Sequence, residues 1–275
     1  MSLDPDVVAA LDAFITDADL MGRALLIGGQ AMRDWGAREA HVLTASKTPL
    51  MLPALRATSD IDVHLALEPD DLSALQSTLQ AAWDPDPRKT FRFDWKRKAT
   101  VTLDLVTTED AQATKRVKTL VKIGTGGADI GAVRVFPRWV MDVPLMESCH
   151  TPAFALLGIN RLSHLGLLAT KVVAINNVVD AYVQAGRPGI SLPEWVTMEN
   201  RIGKDLGDVE TLLDRAWIDR IWSPLTKLHR QQAERHLREV ITTFRSLRDR
   251  PASLSEGAFQ TILRIAPALD RMLTL

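Results

Sequence analysis

Three short motifs in a set order constrain this chain most: Gly28-Gly29, then Asp60-Ile61-Asp62, then Asp104. Each falls where a strand is expected to end or to run. Leu25-Leu26-Ile27 is a brief apolar run that stops at the glycines, and Ala31-Met32-Arg33-Asp34-Trp35 reads as a helix leaving them. Ile61, Val63 and Leu65 alternate with Asp60, Asp62 and His64, the period of a half-buried strand. Residues 100–106 alternate in the same way, with Val101, Leu103 and Leu105 on one face and Asp104 on the other. Side chains two apart on a strand project to the same face, so Asp60 and Asp62 are neighbours. Asp104 from an adjacent strand would complete a trio of hard oxygen ligands. Such a trio repels itself without a cation, and Mg²⁺, one ion or two, carrying a triphosphate is the usual partner of carboxylate sites of this kind.

The bulk properties remove other classes. A chain of 275 residues can bury a substantial core in one large or two modest domains. Its formal net charge of −1 argues against a surface that attracts nucleic acid everywhere, while leaving room for a local basic patch. One cysteine, Cys149, excludes an intrachain disulfide framework and a cysteine zinc site. Asn160, Arg161, His164 and Lys171 interrupt the most apolar stretch, residues 154–175, which therefore reads as a pair of core helices and not a membrane span. The first residues carry no basic flank and no apolar run, so no secretory signal is expected and the expected location is cytoplasmic.

Along the chain, Asp4-Pro5 opens a helix with an apolar stripe at Val7, Val8, Leu11, Phe14 and Ile15. Residues 23–27 and 59–67 read as strands, with a proline-containing loop at 37–57 between them. Asp70-Asp71 starts a helix reaching Trp83, and Asp84-Pro85-Asp86-Pro87 is a turn cluster. Residues 90–95 and 100–107 read as hairpin partners joined by Lys96-Arg97-Lys98, and weaker strands are expected at 120–123 and 133–136. Beyond Pro144 long helical periodicity takes over. The expected organisation is a core of residues 1–145 and a helical domain of residues 146–275.

Taken together, Gly28-Gly29, Asp60-x-Asp62 and Asp104 resemble the signature of the nucleotidyltransferases built on the DNA polymerase β-type fold. Ala169-Thr170-Lys171-Val172-Val173-Ala174-Ile175, followed by Arg201-Ile202-Gly203-Lys204-Asp205-Leu206-Gly207-Asp208-Val209, is similar to the helical half of the AbiEii/AbiGii toxin group in that superfamily. The likeness spans residues 20–215. It implies an α/β (α+β) fold, a nucleotidyltransferase core with a mixed sheet followed by a helical domain, with the site in the cleft between them. It also implies an enzyme that moves NMP from an NTP to a hydroxyl acceptor and releases pyrophosphate. In that scheme Asp60 and Asp62 hold Mg²⁺, and Asp104 is the third ligand and draws the proton from the attacking hydroxyl. Gly28 and Gly29 receive phosphate, and Lys171 meets the nucleotide phosphates. Lys204, Asp205 and Asp208 belong to the nucleotide side, the aspartates pairing with Lys171 or closing the base side of the pocket. The acceptor in that group is often RNA and the setting toxin–antitoxin, so an antitoxin protein is an implied partner. A small-molecule adenylyltransferase of the antibiotic-modifying type is a second enzymatic reading.

Two departures favour a third reading, a regulatory nucleotide-binding module that no longer catalyses. The spacer between Gly29 and Asp60 is long and calls for an extra loop at residues 39–56. Gln30 stands where many members place a small hydroxyl residue. Plainer readings accompany each motif: Asp-x-Asp as a solvated strand face, Lys171 as a helix-surface lysine, and Lys204-Asp205-x-x-Asp208 as a surface ion-pair cluster. Arg88, Lys89, Arg92, Lys96, Arg97 and Lys98, interleaved with Phe91, Phe93 and Trp95, could grip RNA. Cations on a hairpin edge equally keep it from pairing with other chains, and that reading is preferred.

Overall fold

The two alternating segments that carry the aspartates lie side by side at the centre of a mixed sheet. β2 (Asp60–Leu65) and β5 (Lys98–Thr108) pair in parallel, Ile61 opposite Leu103 and Asp62 opposite Asp104. β1 (Ala24–Ile27) joins the other edge of β2 antiparallel, Ile27 opposite Asp62, and all four of its residues are buried. The computed structural model describes residues 4–46, 58–65, 71–86, 92–108, 135–136, 145–185, 192–213 and 256–272, with scattered positions between 231 and 246. Two compact units, Met1–Ser163 and His164–Leu275, divide the chain.

The first unit holds the sheet. β3 (Trp83–Pro85), β4 (Arg92–Trp95), β7 (Met146–Ser148) and β8 (Asn160–Leu162) extend it in the order β3-β4-β5-β2-β1-β8-β7. β6 (Val135–Phe136) pairs in parallel with the end of β5. β1–β8 is parallel, while β3–β4, β4–β5 and β7–β8 are antiparallel. One face is apolar because strand alternation puts Ile61, Val63, Val101, Leu103 and Phe93 on it, all fully or almost fully buried. Helix α1 (Pro5–Asp17) covers that face with Val7, Ala10, Leu11, Phe14 and Ile15. Asp4 caps it by accepting from the Asp6 N–H at 3.0 Å. Phe14 meets Trp83 edge-on, ring centroids 6.0 Å apart, and Trp83 stands beside Trp95.

Several expectations change here. Helix α2 (Gly28–Ser46) runs through residues 39–46, where a loop was expected, while residues 47–57 lie outside the described residues. Helix α3 (Asp71–Ala82) stops before Trp83, which begins a strand through Pro85 where only a turn was read. The pairing of Trp83 with Trp95 buries both indoles, and that gain outweighs the turn preference of the Asp-Pro repeat. The apolar stretch 154–175 is not a helix pair. Helix α4 (Pro152–Leu156) and β8 precede the long helix α5 (His164–Ala185), so the sheet draws its last two strands from beyond residue 145. The expected hairpin forms between β4 and β5, with its turn at Lys96-Arg97 and Lys98 already in the strand. The strand read at 120–123 lies outside the described residues, and of the one read at 133–136 only Val135–Phe136 is described, as a strand.

The described residues of the second unit contain helices and no strand. α5 packs on α6 (Leu192–Leu212), and α6 on α7 (Glu256–Met272). Leu168, Val172 and Ile175 of α5 and Ile202, Leu206 and Val209 of α6 are buried at helical spacing. No described helix is long and apolar enough to cross a membrane.

Candidate functional site

Gly28 closes β1 with φ at +64°, a left-handed conformation that glycine adopts without strain. A Cβ at Gly28 would overlap the Asp62 carboxylate, so the missing side chain is what lets Asp62 lie against the turn. A Cβ at Gly29 would come within 2.8 Å of the Thr58 methyl. Gln30, fully buried, donates from Nε2 to the Thr58 carbonyl at 2.7 Å. Thr58 Oγ1 in turn accepts the Asp60 N–H at 3.2 Å. The turn thus holds the segment that delivers Asp60. Gln30 Oε1 is buried with no hydrogen-bond partner among the described residues.

On the face opposite the apolar one, register brings the aspartates together. Asp62 sits beside Asp104, and Asp60 beside Thr102, whose hydroxyl donates to Asp60 Oδ1 at 2.8 Å. The neighbouring strand sets Arg92 opposite Asp104. Arg92 Nε and Nη2 donate to Oδ1 and Oδ2 of Asp104, each at 2.7 Å, a bidentate fork. Its Nη1 is 3.5 Å from Asp60 Oδ1. One guanidinium thus contacts two carboxyl groups and feels the charge of a third, Asp62.

The electrostatics follow from that count. Burial raises the Asp104 carboxyl above its ordinary range, the Arg92 hydrogen bonds oppose this, and the charges of Asp62 and Asp60 push it further up. Arg92 is held more firmly protonated than a free arginine, first by its hydrogen bonds to Asp104 and then, against burial, by the charges of Asp104, Asp60 and Asp62. His64, two residues along β2, is lowered to about 4 by burial.

Among the described residues no three His, Cys, Asp or Glu side chains stand as a ready metal-holding group. Both oxygens of Asp104 already accept from Arg92. The donor chemistry nonetheless fits a hard divalent cation: Asp60 and Asp62 offer carboxylate oxygens from one strand face that carries excess negative charge.

Of the remaining predicted residues, Lys171, Asp205 and Asp208 form a second group inside the helical unit. Lys171 is buried on α5, its Nζ 2.9 Å from Asp205 Oδ1 and 2.6 Å from Asp208 Oδ2 on α6. Burial alone would lower its pKa, but the charges of Asp205 and Asp208 outweigh that and raise it. The i, i+3 spacing of the two aspartates puts both on the face that meets α5. Lys204 on the same helix is exposed.

In the basic hairpin, Lys96 donates to the Gln80 carbonyl at 2.6 Å and lies 3.8 Å from Asp84. Lys98 pairs with Asp6, and Arg97 lies 5.8 Å over the Trp95 ring. Arg88 and Lys89 fall outside the described residues.

Arg92 is the residue that sequence reasoning misplaced, by grouping it with the hairpin cations. Its alternation with Phe93 was the available signal. Also unforeseen is a buried pair, Asp34 on α2 and Arg161 on β8, both fully excluded from solvent, with Arg161 Nε donating to Asp34 at 2.8 Å. Asp34 further accepts from the backbone N–H groups of His150 and Thr151 and from the Thr151 hydroxyl, at 2.6–2.8 Å. No protein-family model, curated protein or solved structure matches this chain.

Proposed function

We propose that the chain is a Mg²⁺-dependent nucleotidyltransferase that moves NMP from an NTP to a hydroxyl acceptor. The observation that carries this reading is the row in which the Gly28-Gly29 turn abuts Asp62, Asp62 stands beside Asp104, and Asp60 shares their face. Asp60 and Asp62 would hold the divalent cation, with Asp104 as third ligand. When bound, the cation supplies stabilisation of the charge that develops on the transferring phosphoryl group. Gly28 and Gly29 open the 19-residue helix α2, whose positive end lies beside this row and would favour the charge of a triphosphate held there by the cation. Asp104, in the role the resemblance gives it, takes the proton of the acceptor hydroxyl. The new bond forms between that oxygen and the α-phosphorus as the bond to pyrophosphate breaks. The resemblance makes RNA the first acceptor to test and an antitoxin the partner to seek. The pairing of Lys96 and Lys98 within the chain gives the hairpin no special claim as the RNA grip.

The test is incubation with each NTP labelled at the α-phosphorus, with Mg²⁺ and total RNA or small hydroxyl compounds. Label should transfer, and Asp60→Asn or Asp62→Asn should abolish the transfer. A second reading, a nucleotide-binding module without catalysis, is favoured by the hold of Arg92 on both oxygens of Asp104. Tight NTP binding with no labelled product under any of these conditions would support it over the first.

A further inference from the structure

The Arg92 fork is not explained by strand pairing alone. A strand arginine need not commit two donors to a buried carboxylate, yet Arg92 does so and points its third nitrogen toward Asp60. Arg92 and Asp104 are both largely buried, at 16% and 5% side-chain exposure. The pair thus lies where charges attract and repel more strongly than in water. We propose that Arg92 is the resident counter-cation of this face, and that a divalent cation gains Asp104 only by exchanging with it. The inference rests on the proposed metal site and adds the device that gates it.

Three facts support exchange over coexistence. Asp104 presents both oxygens to Arg92, so an ion taking either would share it with a guanidinium a few ångströms away and meet like-charge repulsion. Asp60 is already 3.5 Å from the same guanidinium, so the repulsion extends to a second ligand. Asp62, beside Asp104 and lodged against Gly28, cannot swing away to host the ion elsewhere without leaving the turn. An arginine released from Asp104 remains on β4 at the edge of the same face, free to meet an anionic group that arrives with the cation. Arg92 thus plugs this face, and the plug becomes a phosphate ligand when displaced.

The experiment is a titration with Mn²⁺ alone, following the free ion by its electron paramagnetic resonance. It compares the wild-type chain with Arg92→Gln and Arg92→Lys, and uses Asp62→Asn to show that the ion sits on this face. Arg92→Gln should bind Mn²⁺ about tenfold more tightly than wild type, since the competing charge is gone. Arg92→Lys, which keeps a charge but loses the fork, should fall between them. Without metal Arg92→Gln should melt below wild type, and saturating Mn²⁺ should raise its Tm more than that of wild type. If Arg92→Gln does not fold without metal, Arg92→Lys alone decides. Equal Mn²⁺ affinity in wild type and the Arg92 variants, with binding lost in Asp62→Asn, would overturn the exchange and leave the metal site standing. No Mn²⁺ binding by any of the proteins would overturn the exchange and the metal-dependent reading together.

Discussion

Asp60 and Asp104 share a face but differ in what their loss would leave behind. Replacing Asp104 by Asn strands the Arg92 guanidinium in a largely buried position, and breaking one side of such a pair costs about 3 kcal/mol. Asp60 is 37% exposed, and an amide oxygen in its place can still accept from the Thr102 hydroxyl. Asp60→Asn should therefore change stability by less than about 1 kcal/mol while removing the proposed transfer activity. Urea denaturation of the two variants checks the order, and a larger loss for Asp60→Asn would show that the Arg92–Asp104 fork does not hold the face together. Gly28 makes a sharper demand. Alanine there adopts a left-handed φ and displaces the Asp62 carboxylate, so Gly28→Ala should cost about 2 kcal/mol or more. Gly29→Ala asks only that the Thr58 methyl give way and should cost less.

Two ion pairs decide how elements lock together. In the first unit the Asp34 carboxylate satisfies the backbone just before α4 and accepts from Arg161 on β8, while Arg161 Nη2 reaches Glu147 on β7 at 3.0 Å. This stitches α2, the helix that starts at the Gly28-Gly29 turn, to the far edge of the sheet. In the helical unit Lys171 ties α5 to α6 through two carboxylates at once. Lys171→Met would take their shared lysine from Asp205 and Asp208 on the face that α6 turns to α5, a loss of about 3–5 kcal/mol. Adding Asp205→Asn and Asp208→Asn to that variant should recover much of it, because burying two carboxylates that have lost the lysine, not missing attraction, is the larger penalty. Chemical denaturation of the single and triple variants measures both. A near-neutral Lys171→Met would mean that this tie is not what holds the two helices.

Across the whole chain, positive and negative residues nearly cancel, 33 lysines and arginines against 34 aspartates and glutamates. Acid sensitivity then depends on particular buried groups more than on bulk charge. His64 is the clearest of them. Burial lowers its pKa from 6.5 to about 4, so the folded state disfavours the protonated ring while the unfolded chain accepts the proton from pH 6.5 downward. Its contribution is complete above pH 6.5 and is lost as pH falls toward 4, about 3 kcal/mol over that window. Stability measured from pH 7.5 to 4 should fall with this slope, and His64→Gln should flatten that part of the curve. An unchanged slope in His64→Gln would place the acid sensitivity in another group.

Much of this architecture is legible in local chemistry. Alternation placed Asp60, Asp62 and Asp104 on strands and on the polar face, because a two-residue period needs only adjacent residues to express it. The capped stripe of α1, the turn at Lys96-Arg97 and the described helices after residue 163 follow from similarly short-range rules. The partner of Asp104 does not. Continuing the pairing of Trp95 with Lys98 down the hairpin would set Arg92 opposite Val101, over the apolar face. The irregularity between Asp94 and Trp95 shifts the register so that Arg92 meets Asp104 instead. Likewise, nothing near Asp34 announces Arg161, 127 positions away, and nothing in the Asp-Pro repeat after Trp83 announces a strand. Burial of Trp83 against Trp95 and Phe14 creates that strand. Short-range periodicity writes itself into neighbouring residues, whereas register and the pairing of buried charges are settled only when distant segments compete for the same surface.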